Sequence, residues 1–191
     1  MSNTSYLLSG DGLRPTLPSS TNILLEVPNH VPLLWLAALH SSDLFSEIRV
    51  GTNGKEYPAC GAVVERIEAI DRLKFHSKFL HKIFMSRGDV RYHIALFGKW
   101  ISELPCTHLC FDWTEYNFLN GDEHERICKA VDEMEHSNPV AHVLLQEISR
   151  ISPGARFITL EQANAGDYTP DEMSTFFSLL GDSYKIAVPW R

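Results

Sequence analysis

Between Ala62 and Met85 the apolar residues Val63, Ile67, Ile70, Leu73, Leu80 and Phe84 fall on one helical stripe, the longest periodic stretch in the chain. The acidic residues Glu65, Glu68 and Asp71 come first, and the basic residues Lys74, Lys78, Lys82 and Arg87 come last. That order complements a helix macrodipole. The spacing predicts a long helix here, and the rest of the chain has to supply a surface for its apolar stripe. No apolar run approaches membrane-spanning length. The longest, Val31 to Leu39, suits a buried core helix, predicted over Pro32 to His40.

The remaining elements mix strands and helices without a strict βαβ rhythm. Ser5 to Ser9 reads as an edge strand, followed by a Gly/Pro/Ser linker over Gly10 to Ser20 and a second strand over Asn22 to Val27. Ile48-Arg49-Val50 leads into Thr52-Asn53-Gly54-Lys55, a candidate hairpin tip with Asn-Gly supplying positive φ. Arg91 to Leu104 reads as a helix with Ile94, Phe97 and Ile101 inward, stopped by Pro105. Cys106 to Trp113 alternates as a central strand. Glu123 to Glu135 is a helix with Ile127, Ala130, Val131 and Met134 inward. Asn138-Pro139 and Thr169-Pro170-Asp171-Glu172 are helix starts, the second a capping box ahead of Met173, Phe176, Phe177 and Leu180, and Tyr184 to Val188 closes the chain as a strand. The expectation is a single α+β domain over 1–191, with about six helices and a small mixed or antiparallel sheet.

With 191 residues, the chain is long enough to bury a core without a metal or disulfide. Four cysteines do not make a secreted framework, so free thiols in a reducing cytoplasm are expected. Met1 to Gly12 has neither the basic nor the apolar region of a signal peptide. A net charge of −7 argues against general nucleic-acid binding and permits a basic protein partner.

The opening block runs Ser2-Asn3-Thr4-Ser5-Tyr6-Leu7-Leu8, then Leu24-Leu25-Glu26-Val27-Pro28, then Val31-Pro32-Leu33-Leu34-Trp35-Leu36 and on to Phe45. That order resembles the start of a family of small cytoplasmic bacterial proteins that look like immunity proteins, carried beside polymorphic or contact-delivered toxins. The resemblance covers about a quarter of the chain and contains no functional motif. It implies a cytoplasmic binder that neutralises a cognate toxin by occlusion, with no chemistry of its own. From the residues themselves no cofactor or metal is expected, since no catalytic motif is present, and no nucleic-acid or membrane partner, given the net charge and the absence of a long apolar run.

Three constellations bear on function. Cys106, His108 and Cys110 share one face of the predicted strand, and His124 and Cys128 share a helix face at i, i+4. Together they offer sulfur and imidazole ligands for zinc, or a cysteine nucleophile, which defines a hydrolase as the alternative reading. The spacing C-x-H-x-C lacks a tight knuckle, and buried cysteine is the simpler reading. The basic run Arg72, Lys74, Lys78, Lys82 and Arg87 reads as a solvated helix face. The third constellation is a loop-like stretch in which Trp113, Tyr116 and Phe118 are interleaved with Asp112, Glu115, Asp122, Glu123 and Glu125, beside a surface turn at Asn120-Gly121. Aromatics among carboxylates have the composition of an interface hot spot, so these eight residues form the expected partner-binding surface. A non-catalytic adaptor subunit is a further alternative.

Overall fold

The computed structural model describes residues 4–12, 18, 22–28, 31–50, 54–83, 89–120 and 123–136. In chain order the elements are β1 (Thr4–Gly10), β2 (Ile23–Pro28), α1 (Leu33–Leu36), a 3₁₀ turn (Ser41–Asp43), β3 (Leu44–Val50), β4 (Glu56–Glu65), α2 (Arg66–Ile83), α3 (Asp89–Glu103), β5 (His108–Asp112), α4 (Thr114–Asn120) and α5 (Glu123–Glu135). The strands form one sheet in the order β2-β1-β5-β4-β3, and every neighbouring pair is antiparallel. The described residues form one α+β unit around this sheet, the expected fold class. None of the described helices is long and apolar enough to cross a membrane.

Side-chain alternation gives the sheet two apolar faces. Leu7, Leu25, Ala62, Val64, Leu109 and Phe111 point to the main core, where helical residues such as Leu73, Phe97, Ile101, Ile127 and Val131 cover them. Leu8, Val63 and Cys110 point the other way into a smaller cluster edged by Tyr6, Ile23 and Phe45. β5 is central, as its alternating sequence predicts. β1 is not an edge strand. It lies between β2 and β5, with Leu7 and Leu8 fully buried on opposite faces, the two-sided burial of an interior strand.

The long helix starts four residues later than its periodicity suggests. Residues 62–65 belong to β4, where Ala62 pairs with Phe111 and Val64 with Leu109. The Arg66 N–H then bonds the Thr107 carbonyl at 2.9 Å, and the chain turns into α2. Pairing with β5 outweighs the helical spacing, and Ile67, placed on the apolar stripe by the sequence, is 66% exposed. Val31, Pro32 and residues 34–39 are buried as expected, but only Leu33–Leu36 is helical.

The β3–β4 hairpin is present, with Val50 opposite Glu56 and Gly54 at φ 72°. α3 and α5 match their predicted faces. The helices predicted after Asn138 and Thr169 and the strand over 184–188 lie outside the described residues.

Candidate docking edge

β3 forms one border of the sheet. Among the described residues it pairs only with β4, through seven consecutive residues without a register shift. Alternate residues of an edge strand turn their N–H and C=O groups away from the sheet. β3 contains no proline, and Ile48 and Val50 stand 65% and 64% exposed on one of its faces. The opposite border, β2, is blunted: it ends at Pro28 and its pairing with β1 shifts register between Leu7 and Leu8.

The other face of β3 carries Phe45, Glu47 and Arg49, which hold the edge strand to the sheet. The Phe45 ring lies over Gly61 of β4. The Arg49 guanidinium sits 5.3 Å from the centroid of that ring, donates to Glu47 at 2.7 Å and reaches across β4 to Asp112 of β5 at 3.3 Å. The small residues Ala59 and Gly61, opposite Glu47 and Phe45, leave room for that reach. Asp112 is buried, and burial pushes its carboxyl above the ordinary value despite opposing hydrogen bonds from Thr114 and Arg49. Desolvation therefore outweighs the ion pair at this carboxylate.

Asp112 also starts the next helix. Its Oδ1 accepts the Thr114 N–H at 2.9 Å, satisfying one of the first orphan donors of α4. The expected loop after β5 is thus a helix, and this corrects the picture of its aromatics. Trp113, just before α4, and Tyr116, inside it, are both buried in the main core. Trp113 Nε1 donates to His124 Nδ1 at 3.1 Å, and Asn117 Oδ1 accepts the His124 N–H at 2.8 Å, which ties α4 to the start of α5. Glu123 is buried and paired with Arg126 at 2.6 Å. Of the expected surface residues, Glu115 and Glu125 are exposed, and Glu115 lies 3.5 Å from the Tyr6 hydroxyl. The Phe118 side chain and Asp122 lie outside the described residues. Asp112, Trp113, Tyr116 and Glu123 therefore brace the scaffold from inside, and the described residues of this stretch do not form a flat aromatic patch.

The sulfur and imidazole groups are dispersed. Cys106 belongs to the main core, Cys110 to the opposite face, and Cys128 lies 3.6 Å from His124 Nε2. No three His, Cys, Asp or Glu among the described residues are placed to hold a metal ion together. None of the four cysteines is in a disulfide. Burial pushes the thiols of Cys106 and Cys128 up and that of Cys60 to about 12, so none of these three has the thiolate character of a nucleophile.

A second polar cluster staples the 3₁₀ turn to its neighbours. His40 caps the turn, and its Nε2 donates to Glu135 at 2.6 Å. The Ser41 N–H and hydroxyl donate to the other Glu135 oxygen, and Arg72 pairs with Asp43. His40 Nδ1, 3.0 Å from the Ser42 hydroxyl, then serves as an acceptor.

No protein-family model, curated protein or solved structure matches this chain.

The sequence reading missed Ile48 and Val50 as a surface. The signal was present in the alternation Leu44 to Val50 ahead of Asn53-Gly54, which marks a hairpin. What alternation cannot say is which hairpin strand ends up on the border.

Proposed function

We propose that the protein is a non-catalytic binder that neutralises a cognate toxin in the cytoplasm by occlusion, taking up an extended segment of the toxin along β3. The observation that carries this reading is the β3 border, which among the described residues pairs on one side only, has neither proline nor register shift, and leaves Ile48 and Val50 exposed, whereas β2 ends in Pro28 and carries a register shift. Strand addition supplies main-chain hydrogen bonds for affinity, and alternate side chains give specificity. The three thiols whose pKa is raised by burial support a binder over a cysteine hydrolase. The net charge of −7 suits a basic partner, whose approach it would speed at low salt.

The test is identification of the partner by co-purification with the full chain, followed by titration of Ile48→Lys and Val50→Pro proteins. Each variant should keep its melting temperature within a few degrees and bind at least about tenfold more weakly, the range of a hot-spot truncation. Hydrogen exchange at β3 amides should slow in the complex. Unchanged affinity for both folded variants, with no added protection on β3, would place the interface elsewhere.

A further inference from the structure

α2 and α3 lie side by side, and Arg66 at the start of α2 donates to the Ile101 and Ser102 carbonyls at the end of α3, so the two helices are antiparallel. Between them runs a half-open groove of about 700 Å³. Its floor is apolar, with Leu73 and Ile94 buried and Ile70 half-buried. Its rim is cationic: Lys74, Lys78 and Lys99 line it, all exposed, in a chain of net charge −7. Lys74 leans on Asp71 at 3.1 Å and Lys99 reaches Glu103 at 4.0 Å, whereas Lys78 meets no carboxylate among the described residues.

Gly98 decides the shape of this groove. It sits in the middle of α3, where glycine weakens a helix, and nothing lies within 4 Å of the position its Cβ would take. No crowding among the described residues calls for a glycine there. The missing side chain does leave the groove open at mid-length.

We infer that the α2–α3 groove binds a single-chain anionic amphiphile, with its alkyl chain on Leu73, Ile94 and Gly98 and its head group at Lys74 and Lys78. The volume falls within the range of small-molecule sites, and an apolar floor with a few convergent charges is their usual make-up. An anionic head complements the lysines, and an alkyl chain complements the apolar floor between the two helices. The site shares no residue with the β3 edge.

The experiment is calorimetric titration of the full chain with decanoate and with decyl phosphate, each below its micelle-forming concentration, beside uncharged decyl maltoside. The parent should bind one anionic amphiphile saturably and decyl maltoside at least tenfold more weakly. Tighter decanoate assigns the head as a carboxylate, tighter decyl phosphate assigns it as a phosphate, and both support the site. Gly98→Leu should fill the groove and abolish binding while melting no lower than the parent, because a better helix former replaces glycine. Lys74→Gln/Lys78→Gln, on exposed positions, should weaken binding about tenfold, the loss of a charge-assisted contact. Absence of saturable binding, equal affinity for decyl maltoside, or unchanged affinity in the folded Gly98→Leu protein overturns the inference. If Gly98→Leu does not fold, unchanged affinity in the lysine variant overturns it alone.

Discussion

The ring of Phe45 lies where a side chain at position 61 would have to go: a Cβ on Gly61 would stand 2.9 Å from Phe45 Cζ and would also collide with the Phe111 carbonyl oxygen. The first contact can yield by moving a ring, but the second is backbone of the central strand and cannot yield cheaply. Gly61→Ala should therefore cost about 2–3 kcal/mol, at the upper end of overpacking penalties. Urea unfolding of the variant measures it, and a loss below about 0.5 kcal/mol would mean that β4 and β5 are spaced more widely here.

The Arg49–Asp112 pair should be asymmetric to mutation. Asp112→Ala removes one of the two carboxylates bound to the half-buried Arg49 guanidinium and frees the Thr114 N–H, so a loss of about 2 kcal/mol is expected. Arg49→Met should cost less, because the carboxyl left behind can take a proton. The sign is set by its raised pKa: the folded state favours the protonated acid, so the associated stability is present in acid and is lost as pH rises through the folded value. The Arg49→Met penalty should therefore shrink as pH falls below neutral. A penalty independent of pH would show that Asp112 does not titrate in this range.

Two histidines, one buried and one half-buried, should destabilise the fold in mild acid. His76 Nδ1 donates to the Ala37 carbonyl at 2.9 Å, and His124 Nδ1 accepts from Trp113 at 3.1 Å. Hydrogen bonding thus fixes opposite tautomers. Burial lowers both below the ordinary 6.5, so the stability they carry is present above that pH and is lost as pH falls through their folded values. Nitrogen-15 spectra of the rings should show Nδ1 protonated in His76 and bare in His124 at neutral pH. Matching tautomers would contradict one of the two bonds.

Trp113→Ala should cost about 3–5 kcal/mol, since its indole is fully buried and bonded to His124. Near-unchanged stability, measured by thermal melting, would return this ring to the surface.

Periodicity found the elements whose partners are local or whose faces are simple. α5 buries Ile127, Ala130, Val131 and Met134 as its spacing requires, and β5 alternates as a central strand does. It failed where pairing partners decide. Residues 62–65 fit a helix by spacing and are held in β4 by β5, while Ser5 to Ser9 looks like a border strand until β5 arrives on its second side. The aromatic anchors failed for a related reason. Trp113 and Tyr116 sit among charges along the chain, but both are buried at the turn the Asp112 carboxylate starts, Trp113 just before the seven-residue helix and Tyr116 inside it. Exposure depends on that turn, which composition does not encode.

The strand order has a consequence for how the chain reaches this fold. β1 completes its pairing only with β5, where Leu7 meets Phe111 across about a hundred residues of chain. The β3–β4 hairpin and the α2–α3 pair need only short loops to close, so they can form early, whereas closure of β1 onto β5 carries the high contact order that slows folding. During synthesis at about 5–20 residues per second, β2 is available to β1 early, but the other side of β1 stays open for roughly 5–20 seconds before β5 exists. Among the described strands, β5 arrives last, and its pairing with β1 and β4 seals both apolar faces, so the nascent chain is most prone to aggregate until residues 108–112 arrive.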